Sequence, residues 1–195
     1  MAENLSAEQV RAAKLAAMPA PLGEVHYALY NEVAWIHLKW QVFRALFATS
    51  PERIDLLNEV APAFFHHLQG VLWEDVLLHL YRLTDSPKSM GHANLTLRRL
   101  PALIPDTSLR AEVESKVALV QEKTNFARDW RNRHLAHREL PPLDGERPRP
   151  LAPASRLQVE EALASIRTVM NCIENYYEKL PVSYEHSIAP LGGAE

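Results

Sequence analysis

The side chains best suited to chemistry fall in one run, Arg128-Asp129-Trp130-Arg131-Asn132-Arg133-His134-Leu135-Ala136-His137. Arginine offers a planar, permanently charged fork of donors that fits phosphate, and an imidazole exchanges protons near neutral pH. The run lies at the end of a segment whose periodicity predicts one long helix, about Leu109 to Glu139. At about 100° per residue, Val113, Val117, Val120, Ala127 and Leu135 share one apolar stripe, with Arg131 at its centre. Leu119, Phe126 and Trp130 form a second stripe, and His137 lies on it. Two polar residues therefore stand where burial is expected. Burial is costly unless the group is paired or faces a wet cleft. Two readings stay open: a structural Arg131 paired with Glu74 or Asp75, or a binding or catalytic site. Two apolar stripes also imply cover on more than one side, either by a second copy of the chain or by a central place in one bundle.

The elements that would position this run are helical. Only six glycines punctuate the 195 residues, and the fourteen prolines cluster between stretches of 3.6-residue period. Ser6-Ala7-Glu8-Gln9 reads as a capping box opening a helix to about Met18. Pro19 to Gly23 breaks it, and a long helix from about Glu24 to Ala48 follows. Ser50-Pro51 caps a short helix ending near Val60, and Pro62 opens the next. From Ala63 to Thr84 the sequence is apolar almost all round, as in a helix central to a bundle. Asp85 to Gly91 reads as a loop, and Leu95 to Leu100 as a short helix stopped by Pro101. Leu140 to Ala154 is a Pro-rich loop, an unstructured connector or a lid on the motif. Ser155 caps a last helix from Arg156 to about Leu180. The expected fold class is all-α: a bundle of four to five main helices plus short accessory helices. Residues 1–180 form a single domain and 181–195 a flexible tail.

Composition narrows the function classes. A net charge of −3 argues against coating nucleic acid nonspecifically, though not against a small basic pocket. Cys172 is the single cysteine and has no activating motif around it. No Gly-x-Ser-x-Gly and no Gly-rich phosphate loop occurs. His134 and His137 sit three apart, and His66, His67 and His79 share a helix with Glu74 and Asp75. No Glu-x-x-His pair recurs on two helices, so solvated or core-bonded histidines are favoured over a metal site, and neither metal nor cofactor is expected. The start lacks a basic stretch followed by an apolar run, and no eighteen-residue apolar stretch exists. The expected compartment is the cytoplasm, with no membrane association.

Arg131-Asn132-Arg133-His134-Leu135-Ala136-His137 resembles the signature of the HEPN superfamily: Arg, four to six intervening residues, then His, often with a polar residue after the Arg. Five residues intervene here. Arg138-Glu139, and Leu83-Thr84-Asp85 at the end of the central helix, are similar to the abortive-infection AbiU-type branch. The resemblance implies a HEPN-like bundle that homodimerises, joining two motifs in one cleft. It also implies metal-independent endoribonuclease chemistry, in which the RNA 2′-hydroxyl attacks the adjacent phosphorus and leaves a 2′,3′-cyclic phosphate. His137 would then be the general acid/base, with His134 as its competitor; Arg131 would stabilise the phosphorane and Asn132 would orient the phosphate or the His. Arg128, Arg133, His134 and Arg138 would bind substrate. RNA, a second copy and an antitoxin are the partners implied, in phage defence or a toxin–antitoxin system. The family also holds noncatalytic modules that bind a nucleotide or a partner protein, and that alternative stands beside the first.

Overall fold

The Ser6 hydroxyl accepts from the Gln9 backbone N–H while the Gln9 side chain accepts from the Ser6 N–H, which starts the first helix, α1 (Ala7–Ala17). In this computed structural model, residues 6–137, 139–140, 150–179 and 181–185 are described. α2 (Ala20–Phe47) begins earlier than the expected Glu24, because Pro21 sits in its first turn, where no backbone N–H is needed. α3 (Pro51–Val60) is capped by Ser50, and Pro62 opens α4 (Pro62–Thr84) as its chemistry requires. The expected loop after α4 holds a small hairpin, β1 (Lys88–Ser89) with β2 (His92–Ala93). Its two turn residues, Met90 and Gly91, take φ of 47° and 86°. A 3-10 turn at Leu97–Arg99 runs into α5 (Leu100–Leu103); Pro101 occupies the first turn of that helix instead of stopping one.

The segment expected as one helix from Leu109 to Glu139 is three pieces: α6 (Thr107–Lys123), α7 (Asn125–Trp130) and a π-turn at Arg131–Leu135. Thr124 makes the first break. Its hydroxyl donates back to the Val120 carbonyl at 2.8 Å and lies 3.3 Å from the Thr84 hydroxyl, while its backbone leaves helical geometry at φ −106°, ψ 4°. Such side-chain bonds compete with the helical ladder. At the second break the Ala136 N–H reaches the Arg131 carbonyl, five residues back, at 2.9 Å. The last helix, α8 (Arg156–Tyr177), carries a Ser155/Gln158 capping box and ends short of the expected Leu180.

The eight α-helices described make an all-α bundle in which α6 packs along α8, α2 along α4, and α1 along α2. Leu22, Leu29, Ile36, Leu80, Leu163 and Met170 are fully buried at its centre. Filling such a site stabilises by roughly 1.5–3 kcal/mol per side chain. α4 is central only in its second half. Val76, Leu77, Leu80 and Leu83 are buried, whereas Phe64 and Val71 in the first half stand 61% and 48% exposed. α7 and the π-turn lie against that buried half of α4, which brings the motif beside the Thr84 end of the helix.

A buried ionic knot fastens α1 to α8 and to residues 181–185. Lys14 on α1 reaches Glu174 at 3.0 Å and Glu178 at 3.1 Å, its ammonium 4.7 Å from the centre of the Tyr30 ring. The Tyr184 hydroxyl donates to Glu174 at 2.8 Å, and the His26 ring lies 3.8 Å from the same carboxylate. Gln41 donates to the Glu185 carbonyl and Asn171 accepts from the Val182 N–H. Of the tail expected at 181–195, residues 181–185 lie against α2 and α8 through these bonds, and 186–195 lie outside the described residues.

Candidate functional site

The motif's anchor is the Tyr81 ring, in the last turn of α4 and only 9% exposed. The Arg131 guanidinium carbon stands 4.8 Å from the ring centre and that of Arg128 5.2 Å. Burial and a hydrogen bond to the Asp85 carboxylate both push the Tyr81 hydroxyl's pKa up, so the phenol keeps its proton. Tyr81 was not singled out in the sequence, where it reads as one more apolar residue of a buried helix. The signal was there in retrospect: it lies four residues before Asp85, on the same helix face.

The arginines of the segment differ in what they hold. Arg128 donates to the Thr84 carbonyl at 3.1 Å and has Asp85 at 3.9 Å. Arg133 meets Glu139 at 2.6 Å and Asp129 at 3.4 Å, and donates to the Pro150 carbonyl at 3.0 Å. Donating to the Glu139 carboxylate strengthens its hold on the proton. Arg131 donates to the Asn132 side-chain oxygen at 3.0 Å and, among the described residues, has no carboxylate within ion-pair distance. The carboxylates that would have made it structural are taken. Glu74 pairs with His134 at 3.4 Å and Asp75 with Lys39 at 2.7 Å. Arg138 lies outside the described residues.

The two imidazoles also part company. His134 has its ring edge against Trp130 at 5.5 Å and its Nε2 toward Glu74. His137 lies past the π-turn on non-helical chain, exposed, and its ring holds no described partner. The expectation that His137 and Leu119 lie on a buried stripe is therefore overturned: Leu119 is 46% exposed, and two backbone breaks, at Thr124 and at the π-turn, separate Leu119 from His137. Arg131 is half-buried, short of the full burial its stripe implied. Asn132 is exposed.

A third group ties the motif to the returning chain. The Asp129 carboxylate accepts from the Ala152 N–H at 2.8 Å, and the Trp130 indole donates to the Ala152 carbonyl at 2.9 Å. Together with Arg133 and Pro150, these bonds bring the end of the Pro-rich segment onto the motif. The intervening residues 141–149 lie outside the described residues, so the connector and lid readings of the whole segment fall there.

The remaining histidines have separate places. His26, His37 and His79 are buried; His79 faces Glu32 at 3.0 Å, and His37 lies between the Val33 carbonyl and Arg167. His66, His67 and His92 are exposed. Among the described residues no three potential ligands gather as a metal site would require. The Cys172 thiol is pushed up to about 11, by burial first and by Glu112 next, so it carries no thiolate at neutral pH.

A family model, HEPN_AbiU2 (described as AbiU2), matches residues 20–186. No curated protein and no solved structure matched the chain. The matched span takes in α2 through α8, hence every element that touches the candidate site.

Proposed function

The chain belongs to the AbiU2 family of HEPN proteins, and from that premise we propose that it is a metal-independent endoribonuclease of abortive infection. The observation that carries this reading is Arg131, held by a ring face and, among the described residues, with no carboxylate beside it and one N–H engaged by Asn132. A guanidinium in that state can meet the charge that builds on a phosphorane. In the proposed reaction the RNA 2′-hydroxyl attacks the adjacent phosphorus and the 5′-oxygen leaves, giving a 2′,3′-cyclic phosphate. His137 exchanges the proton, and Asn132 sets the rotation of the Arg131 fork and orients the phosphate or the imidazole. Arg128, Arg133, His134 and Arg138 supply the surrounding positive potential, Arg133 and His134 through whatever their carboxylate partners leave over.

An orienting group for His137 is expected from a second protomer. The exposed side chains Phe64, Val71 and Leu78 recur every seventh residue along α4, a stripe that leads toward Tyr81. A homodimer built on that stripe would cover exposed apolar surface and set two motifs near each other. If the protein is a toxin, an antitoxin is the partner that restrains it. The second reading, a noncatalytic module that binds a nucleotide or a protein, draws on the unsupported state of His137 in the single chain.

The test compares RNA cleavage by the purified protein, Arg131→Ala and His137→Ala, with and without EDTA, and identifies the product ends by mass spectrometry. Cyclic phosphates from the wild type alone, indifferent to EDTA, support the ribonuclease. Equal behaviour of all three proteins removes it and leaves the binding module. Light scattering at micromolar concentration tests the dimer independently, and a monomer there removes the composite cleft.

A further inference from the structure

A ring face and a carboxylate both hold a guanidinium in place, but they leave it in different states. A carboxylate takes two N–H donors and cancels the charge. An aromatic face attracts the cation through its quadrupole, fixing the guanidinium while every N–H stays free for something else. Among the described residues Arg131 meets only the second kind of support, with one N–H spent on Asn132.

The Tyr81 ring is itself unusually well fixed. It is rooted in α4 and buried, and Asp85 follows four residues on, at the end of the same helix. Asp85 is in turn held by the Ser86 N–H on its carboxylate at 2.7 Å and by the Thr96 hydroxyl on its backbone carbonyl at 2.9 Å. Thr96 also donates to the Leu83 carbonyl, closing the end of α4 from the far side. Asp85 is thus fixed by Ser86 and Thr96 at the end of α4, one turn from the ring that carries Arg131.

We infer that Tyr81 is the positioning residue of Arg131: its ring presents the guanidinium to an anionic ligand with charge and donors uncompensated. The consequence for cleavage rests on the ribonuclease reading above; the placement of Arg131 does not. Two measurements keep them apart. The first is NMR of the Arg131 side-chain Nε–H, assigned by its loss in Arg131→Ala. In the wild type it is displaced by the ring current of Tyr81, it stays displaced in Tyr81→Phe, and it moves to the position of an exposed arginine in Tyr81→Leu. The second is cleavage kinetics. Tyr81→Phe retains kcat within about threefold, while Tyr81→Leu loses about tenfold in kcat with KM little changed, the size expected for one cation–π contact that bound RNA shields from water.

A wild-type Arg131 signal at the exposed position overturns the inference, whether or not RNA is cut and whether or not Tyr81→Leu folds. Equal losses in Tyr81→Phe and Tyr81→Leu overturn it too, because the hydroxyl and not the ring would then be what matters. A displaced signal that follows the ring, in a protein that cuts no RNA, upholds the placement and removes the ribonuclease.

Discussion

Lys14 and Arg131 are both cations set against a tyrosine ring, at 4.7 Å and 4.8 Å, and the molecule completes the two arrangements in opposite ways. Lys14 is 5% exposed and is closed off by Glu174 and Glu178, with Tyr184 sealing the carboxylate. Arg131 is half-buried and receives no described carboxylate. The ring is common to both, so the ring does not decide the role. What decides it is whether anions finish the shell. A completed shell fastens α1 and residues 181–185 to α8, and an open one leaves a cation for something outside the chain.

The comparison can be broken or sharpened by experiment. The largest effect belongs to the closed shell: Lys14→Met strands a fully buried Glu174 and is expected to cost about 3–5 kcal/mol in urea unfolding. Lys14→Met with Glu174→Leu should recover most of that loss. A single-variant cost below about 1 kcal/mol would make the two cations alike and sink the contrast.

Arg131→Ala should do the reverse. Its stability changes by about 1 kcal/mol or less, while the proposed RNA cleavage falls by about 100-fold or more, near 3 kcal/mol of barrier. A large drop in melting temperature would class Arg131 with Lys14.

The buried histidines come next. His79 is lowered to about 4, by burial first and then by Lys39, with Arg82 adding to it against Glu32 and Asp75. His26 is lowered to about 3 by burial and Lys14. The folded protein therefore binds fewer protons than the unfolded chain below the ordinary histidine pKa. Stability is present above that value and is lost as pH falls toward these depressed ones. For His79 the loss is about 2 kcal/mol at pH 5. The raised pKa of Glu174, due to burial, works in the other direction, so the cleaner readout is the variant. Melting curves of His79→Gln should fall less between pH 7 and pH 5 than those of the wild type; parallel curves would remove the assignment.

The smallest effect is at the strap. Asp129→Ala releases the Ala152 N–H and one partner of Arg133, for about 1 kcal/mol. It should raise amide exchange at Ala152 and leave Lys14's surroundings untouched.

Much of the fold was legible because it is written in local rules. Capping at Ser6, Ser50 and Ser155 and the proline opening α4 follow from side-chain chemistry within a few residues. The motif helix was misread for a nonlocal reason. Thr124 breaks its ladder partly through Thr84, forty residues away, and no periodicity within one helix reports that. The same holds for Tyr81 and for α4, where apolar pattern alone could not separate the buried half from the exposed Phe64 and Val71. The candidate site was located by its residue types, but the support under it came from a different helix.

The π-turn at Arg131–Leu135 bears on how the motif tolerates changes in length. A π-turn carries one residue more than an α-turn over the same stretch of axis. Shortening the segment between Arg131 and His137 by one residue can be absorbed by tightening that turn, with Arg131 unmoved on Tyr81. Lengthening it adds chain past the turn, where His137 already lies on non-helical backbone. The widened turn is thus a small reserve of chain slack between Arg131 and His137.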